Sequence, residues 1–284
     1  MKAEDVLAVV VSYDGLGKTK QSVEALRGQV GYILIVDNGS DVESLAVLDS
    51  LEREAGVSVT RLGVNCGIGY ALNLGVQRAR EMGYAWLLTM DQDSMVDPSM
   101  VSAYRAEIER NPGRVSLAPN AVVNGRARPV KSGVVGYAIT SGNLVRVSVF
   151  EEIGLYDEGL FIDCVDFDFC LRLRQAGHSV WRVGNALMQH QLGDERAVPG
   201  FLKKFYALHS PLRRYYMHRN FMYLGERYLF RFPVFVLKLA MVTIVEMLLV
   251  GFYDPRPMES YRAAIRGVRD YFARRNGIYV ERTR

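Results

Sequence analysis

Tyr84-Ala85-Trp86-Leu87-Leu88-Thr89-Met90-Asp91-Gln92-Asp93-Ser94 is the stretch on which the fold turns. It is an almost unbroken apolar run of strand length that ends abruptly in two carboxylates one residue apart. A strand exposed on one face would alternate; a continuous run is what a parallel strand needs when helices cover both its faces. Three runs upstream, Val6 to Tyr13, Tyr32 to Val36 and Val57 to Leu62, have the same character and are separated by segments of helix length. The repeated alternation predicts an α/β nucleotide-binding sheet.

In such sheets ligands bind beyond the carboxyl ends of the strands. The residues to examine are therefore Ser12-Tyr13-Asp14, Asp37-Asn38-Gly39-Ser40, Gly63-Val64-Asn65-Cys66-Gly67-Ile68-Gly69 and Asp91-Gln92-Asp93-Ser94. Two carboxylates at a sheet edge can hold a hard divalent cation against a diphosphate, although an isolated Asp-x-Asp also serves as an ordinary turn. The Asp-Asn-Gly-Ser stretch taken alone is a strand exit. The glycine loop at 65–69 lets backbone approach a phosphate or base, but it lacks the third glycine and the following acid of a dinucleotide fingerprint.

Further along, Pro119 to Lys131 is rich in Pro, Gly, Asn and Arg and reads as a loop or irregular hairpin, followed by Thr140-Ser141-Gly142-Asn143. Phe169, Cys170, Leu173 and Ala176 have helical spacing, and Gly177 stops the pattern. Asp163 and Asp166 then fall at or just before a helix start. Asp166 and Asp168 point about 200° apart around its axis, so both cannot face one cleft. Acids at a helix start also act as caps, but three among Phe161, Ile162, Val165, Phe167 and Phe169 exceed what capping needs. His190 follows another strand-like run and is a candidate ligand beside a metal site.

With 284 residues the chain can bury a substantial core, and its 35 basic and 31 acidic residues nearly balance. Three cysteines (Cys66, Cys164, Cys170) without ligand spacing argue for a reducing compartment and for packing roles. The start, Met1-Lys2-Ala3-Glu4-Asp5 before a short apolar run, does not resemble a signal peptide. A cytoplasmic protein is expected.

Taken in order, Val-Val-Ser-Tyr (10–13), Val-Asp-Asn-Gly-Ser (36–40), Asn-x-Gly-Ile-Gly-Tyr-Ala-x-Asn-x-Gly (65–75), Asp-Gln-Asp-Ser (91–94), Thr-Ser-Gly (140–142), Phe-Ile-Asp-x-Val-Asp-Phe-Asp-x-x-x-Arg (161–172) and His-x-x-Gly (190–193) resemble the family 2 glycosyltransferases. Within them the chain is similar to bacterial rhamnosyltransferases. The resemblance covers roughly residues 6 to 225. It implies a GT-A fold, Mg2+ or Mn2+, and inversion at the anomeric carbon. It also implies roles: Asp37 on the base or ribose, Asp91 on the nucleoside, Asp93 on the metal, His190 completing the metal or diphosphate site, and Asp166 as the catalytic base. Ser12, Tyr13, Asn38, Asn65, Gly67, Asn73 and Gln92 join the nucleotide-sugar site; Gly142, Asp163 and Asp168 fall on the acceptor side, Asp168 as a support for its loop. Val165 stands where most members have Glu, a variant associated with rhamnosyltransferase-like members, and the Gln-x-x-Arg-Trp motif of processive synthases is absent.

Beyond Pro199 the composition becomes aromatic and basic, which predicts a catalytic domain over 1–200 and a helical region over 201–284. Lys203, Lys204, Arg213, Arg214, His218, Arg219, Arg227 and Arg231 interleave with nine aromatic residues from Phe201 to Phe230. That composition suits an anionic membrane surface or a lipid diphosphate, better than a nucleic acid; a homo-oligomer contact is the alternative. Pro233 to Tyr253 is nearly long enough to span a bilayer, but Lys238 and Glu246 lie within about 80° of each other and form one polar stripe, favouring an in-plane or self-packed helix. The expectation is an inverting, metal-dependent transferase at the inner face of the cell membrane. It would pass L-rhamnose from dTDP-L-rhamnose to a saccharide or lipid-linked acceptor of a surface polysaccharide. A donor such as UDP-galactose or UDP-galactofuranose is the nearest alternative. A sugar nucleotidyltransferase is the more distant one, and Ser12 to Lys18 is only a faint phosphate loop for it.

Overall fold

A computed structural model describes residues 1–122, 130–190 and 208–280, the side chain of His190 excepted. The chain divides into two compact units. One is Met1–Asp157 with Asp166–Gln191, the other Glu158–Val165 with Leu192–Arg284.

The first unit is a mixed sheet flanked by helices. Its parallel half is built from β1 (Val6–Ser12), β2 (Tyr32–Asp37), β3 (Val57–Arg61) and β4 (Trp86–Asp91), linked by α1 (Gly17–Leu26), α2 (Val42–Glu52) and α3 (Ile68–Glu81). β1 lies between β2 and β4, and β3 pairs with β2. The four predicted runs are these strands, and β1, β2 and β4 are almost wholly buried. β3, at the edge of the order, is only partly buried, because an edge strand needs covering less completely. α3 can lie close to β1 because Gly75 has no side chain: a Cβ there would stand 2.7 Å from that of Val9.

The other half is mixed. β5 (Ser94–Val96), α4 (Met100–Arg110), β6 (Ser116–Val122), β7 (Gly133–Val135), β8 (Asn143–Arg146), α5 (Val149–Ile153), α6 (Val165–Gln175) and β9 (Val180–His190) follow in chain order. The strand order is β3-β2-β1-β4-β8-β6-β9-β5, with β7 on β9. β5 begins three residues after β4 ends yet stands at the far end of that order, so the sheet curls. The loop expected from Pro119 is in part strand: β6 continues through Val122, and Pro119 sits at the register shift between Ala118 and Asn120 where β6 meets β9. A bulge is where a strand tolerates proline. The rest of that expected loop, at 123–129, lies outside the described residues.

The second unit contains α7 (Pro211–Tyr228), α8 (Pro233–Tyr253) and α9 (Pro257–Phe272). Each starts on proline, which the first turn accepts because its N–H has no partner there. α9 packs tightly on α7 at Gly267, where a Cβ would collide with the Tyr215 carbonyl oxygen. The expected polar stripe on α8 does not form. Lys238 is exposed, but Glu246 turns inward, where Arg214 Nη1 donates to it at 3.0 Å and also bonds Asp254 through Nε at 3.3 Å. A carboxylate amid apolar neighbours goes where a buried guanidinium can satisfy it. α8 is long and apolar enough to cross a membrane, by length and composition.

The expected basic-aromatic surface is half interior as well. Arg214, Arg219, Tyr215, Tyr216 and Tyr228 are buried, while Phe201, Lys203, Lys204, Phe205 and Tyr206 lie outside the described residues. Outward on α8 instead are Val234, Leu237, Met241, Ile244, Leu248 and Phe252, which fall within about 80° on a helix.

Candidate functional site

The loops after the four parallel strands are tied to one another. Gln92, after β4, reaches the end of β1 with both halves of its amide. Its Oε1 accepts from Tyr13 N–H at 2.7 Å and its Nε2 donates to Tyr13 O at 2.9 Å. Asp14 N–H donates to Ser40 Oγ (2.9 Å), and Asp14 Oδ1 accepts from Asp41 N–H (2.9 Å). Asn38 then joins the loops after β2 and β3, its Oδ1 accepting from Cys66 N–H at 2.8 Å. Gly39 lets these two approach: with φ at +87° and a Cβ position 2.7 Å from the Val64 carbonyl carbon, no other residue fits without strain. Asn65 Oδ1 accepts from Gly67 N–H at 3.0 Å, and Gly67, at φ +87°, opens α3.

This lattice sorts the expected donor residues. Tyr13 is 47% exposed and presents its ring to solvent. Asp91, Gln92 and Asp93 are half-buried at the mouth. Ser12 is buried, its hydroxyl against Thr19 Oγ1 (3.0 Å). Asp37 is also buried; Ser40 N–H donates to its two oxygens at 3.3 and 3.4 Å. Asn73 is committed to support: it donates to Tyr156 O (3.0 Å) and accepts from Tyr156 N–H (2.9 Å). Gln92, Asp14, Ser40, Asp41 and Asn38 form the lattice, with Ser12 held against Thr19 beside it. Of these only Asp41 and Thr19 lie outside the strand-end stretches that the sequence singles out, and nothing in the sequence marks Thr19.

Thr140-Ser141-Gly142 closes over the end of β4. Gly142 N–H donates to Thr89 O (2.7 Å), Tyr104 Oη donates to Gly142 O (2.7 Å), and Asp91 N–H donates to Ser141 Oγ (3.2 Å). Gly142 has φ +74°, and a Cβ on it would stand 2.7 Å from both Met188 Sδ and Pro119 Cγ. It is required by packing.

The acids are divided between the units. Asp166, in the first turn of α6, is half-buried, and its Oδ1 accepts from Phe167 N–H at 2.8 Å. Asp168 turns the other way and is 1% exposed. Arg172 Nε donates to it at 2.8 Å, and Arg172 Nη1 donates to Ile153 O at 2.6 Å. Asp166 is half-buried and Asp168 fully buried, in keeping with the near-opposite directions expected on a helix, and through Arg172 Asp168 braces the end of α5. Tyr156, stacked on Phe169 at 4.5 Å, belongs to the same brace. Cys170 lies under it, its thiol pushed up to about 12 by burial, so it is a packing residue and no nucleophile.

Asp163 belongs to the second unit. Burial raises its pKa, and the Arg213 guanidinium opposes that with bonds of 3.0 Å from Nη2 and 3.2 Å from Nε to Oδ1.

For a metal, Asp91 and Asp93 offer hard oxygen donors of the kind Mg2+ and Mn2+ take. Among the described residues no three His, Cys, Asp or Glu side chains gather around one point. The His190 side chain lies outside them, but its backbone pairs with Ser94, the neighbour of Asp93, across β5 and β9. The donor set suits a cation shared with a diphosphate better than a closed structural site.

Several known proteins are similar. The dTDP-rhamnosyl transferase RfbF of Shigella flexneri is 28% identical over 239 residues, 76% of this chain and 78% of that protein. Among solved structures, GalNAc-T7 with UDP, GalNAc and Mn2+ superposes with a TM-score of 0.56 at 18% identity, over 66% of this chain and 43% of that one. Staphylococcus aureus TarS gives 0.57 at 13% identity, over 97% and 44%; its 1–349 portion with UDP-GlcNAc gives 0.54 at 13%, over 97% and 74%. The chain thus spans under half of GalNAc-T7 and of TarS, and these likenesses speak for the GT-A fold. The model of the glycosyl transferase family 2 matches residues 8–154, just over half of the sequence; with the loops after β1, β2, β3 and β4 tied to one another and Asp91 and Asp93 among them, the chain belongs to that family and is a glycosyltransferase.

Proposed function

We propose that the chain transfers L-rhamnose from dTDP-L-rhamnose, with inversion, to a saccharide or lipid-linked acceptor of a bacterial surface polysaccharide. The observation that carries the reading is the mouth formed by Tyr13, Asp91 and Asp93, together with a carboxylate, Asp166, held at a helix start. Similarity to a dTDP-rhamnosyl transferase supports the donor.

In this reading Tyr13 offers its exposed ring to the base, while Gln92, Asn38, Asn65 and Gly67 hold the loops that receive the nucleotide. Asp37 stiffens the turn after β2, and Asn73 acts through Tyr156. Asp91 faces the nucleoside. Asp93, with His190, would hold Mg2+ or Mn2+, which offsets charge on the departing diphosphate. Asp166 takes the proton from the acceptor hydroxyl as that oxygen attacks the anomeric carbon. The bond to the diphosphate breaks with its electron pair, and one in-line displacement inverts the centre. Asp163 and the Gly142 loop are assigned to the acceptor side. The outward apolar stripe of α8, together with the exposed Arg227, Arg231 and Lys238, supports work at an anionic membrane face from the cytoplasm.

Two substitutions test this. Asp166→Asn should keep dTDP binding and the fold while transfer falls at least about a hundredfold. Asp93→Ala should abolish the dependence of dTDP affinity on added Mg2+ or Mn2+ in titration calorimetry. Unchanged transfer by the first, or an affinity indifferent to chelator in the unaltered protein, rejects the corresponding role.

A further inference from the structure

Three non-glycine residues in Glu158–Val165 adopt the left-handed backbone: Phe161 (φ 63°), Asp163 (φ 62°) and Cys164 (φ 66°). Side chains disfavour that region, so the segment requires a holder. Two adjacent residues of α7 supply it. Asn220 Nδ2 donates to the carbonyls of Leu160 (2.7 Å), Ile162 (2.7 Å) and Asp163 (3.0 Å). Arg219 Nη2 donates to Gly159 O (3.1 Å) and Leu160 O (3.2 Å), and its Nη1 donates to Gly277 O (2.7 Å). Arg219 Nε also donates to Asn220 Oδ1 at 3.0 Å. That bond sets the orientation of the amide, since the reversed group would point its oxygen at three carbonyl oxygens.

Both side chains are fully buried. The Arg219 guanidinium lies over the rings of Tyr215 and Tyr216, 5.5 and 5.0 Å from their centroids, and Tyr216 stacks on Phe161 at 4.9 Å. Gly277 N–H adds a bond to Gly159 O at 2.7 Å. Joining a helix to a loop does not require a buried guanidinium, which is costly unless all its donors are met. Apolar contact would fill the space. What the arginine and the amide provide, and apolar groups cannot, is a set of donors matched to the carbonyls of one left-handed path.

We infer that Arg219 and Asn220 are positioning residues for sugar transfer. They latch the 158–165 segment, and that segment runs covalently into Asp166, so the latch sets how the chain enters the first turn of α6. The inference rests on the reading of Asp166 as the base. It assigns to the C-terminal helices a part in catalysis besides any surface contact.

The test uses the full chain with Asn220→Ala, and with Arg219→Lys, which keeps the charge but loses the fork. Hydrogen exchange of peptides covering 158–165 should quicken about tenfold or more in Asn220→Ala while the sheet stays protected. Turnover of dTDP-L-rhamnose should lose about tenfold or more in kcat, with its KM and the affinity for dTDP within about twofold of the unaltered protein. If Asn220→Ala does not fold, Arg219→Lys is read in the same way. Unchanged exchange across 158–165 overturns the latch. Faster exchange with unaltered kcat, or equal losses of kcat and dTDP affinity, overturns its part in transfer. Should Asp166→Asn remain active while Asn220→Ala loosens the segment and loses kcat, the base assignment falls and the latch stands.

Discussion

As pH falls from about 7.5 to about 5, His209 should make the helical unit less stable by about 2 kcal/mol. The residue lies just before Ser210, whose hydroxyl caps α7 by accepting from Arg213 N–H at 3.2 Å. Its imidazole is pressed from 6.5 down to about 4, first by burial and then by the positive charges of Arg213 and Arg214. Glu246 pulls the other way, with Oε1 3.9 Å from His209 Nε2. That carboxylate is already engaged by Arg214 at 3.0 Å, so burial and the two guanidinium groups prevail. The depressed value belongs to the folded state of a base. Between the two values the unfolded chain therefore binds a proton that the folded chain refuses, and stability is lost as pH drops through the unfolded value. A shift of about 2.5 units caps the effect near 3.4 kcal/mol, of which about 2 kcal/mol has been lost by pH 5. Urea unfolding of the unaltered protein and of His209→Gln across this range isolates the contribution, because other titrating groups are common to both. Parallel pH profiles for the two proteins would refute the reasoning.

Gly142→Ala should cost about 2 to 4 kcal/mol, from a left-handed alanine and from pressure on Met188 and Pro119. Thermal unfolding then shifts down by several degrees, and a variant melting with the unaltered protein would show that the strand-end loop relaxes freely. Vesicles containing anionic lipid should sediment the protein more than neutral vesicles do, and Leu237→Ser with Leu248→Ser should reduce that capture. Equal capture by both lipids would point to α8 meeting protein instead.

The parallel half of the sheet was legible because buried strands advertise themselves: β1, β2 and β4 are continuous apolar runs, and the acids after them mark the ligand end. The other half was not. β5, β7 and β8 have three or four residues each, too few for a period, and their pairing is decided by partners far away in the chain. Pro119 argued for a loop because proline lacks a ladder donor, and the exception, a bulge against β9, arises only from the partner strand. Glu246 leaves the expected polar stripe for a similar reason. Helical spacing says which residues share a face of α8, but its orientation is set by Arg214, 32 residues upstream.

In the site, side chains with distinctive chemistry are conspicuous in the sequence, and those with ordinary chemistry are ambiguous in it. Asp91, Asp93 and Asp166 stood out as carboxylates where a sheet or helix ends, and the structure leaves them half-buried. Asn73 and Gln92 were expected to touch the nucleotide, yet both halves of each amide bind backbone of their own chain. An amide is selected for that position by the same property that would suit it to a base, paired donor and acceptor, so sequence cannot separate the two uses. Asn220 is the extreme case. On α7 it reads as one polar residue among arginines and tyrosines, and its meaning depends on three carbonyls about sixty residues upstream that turn toward it only because Phe161, Asp163 and Cys164 are left-handed. The machinery that orients a catalytic group is therefore least visible where it is fully satisfied, since every polar atom that could signal a function has been used to hold the chain.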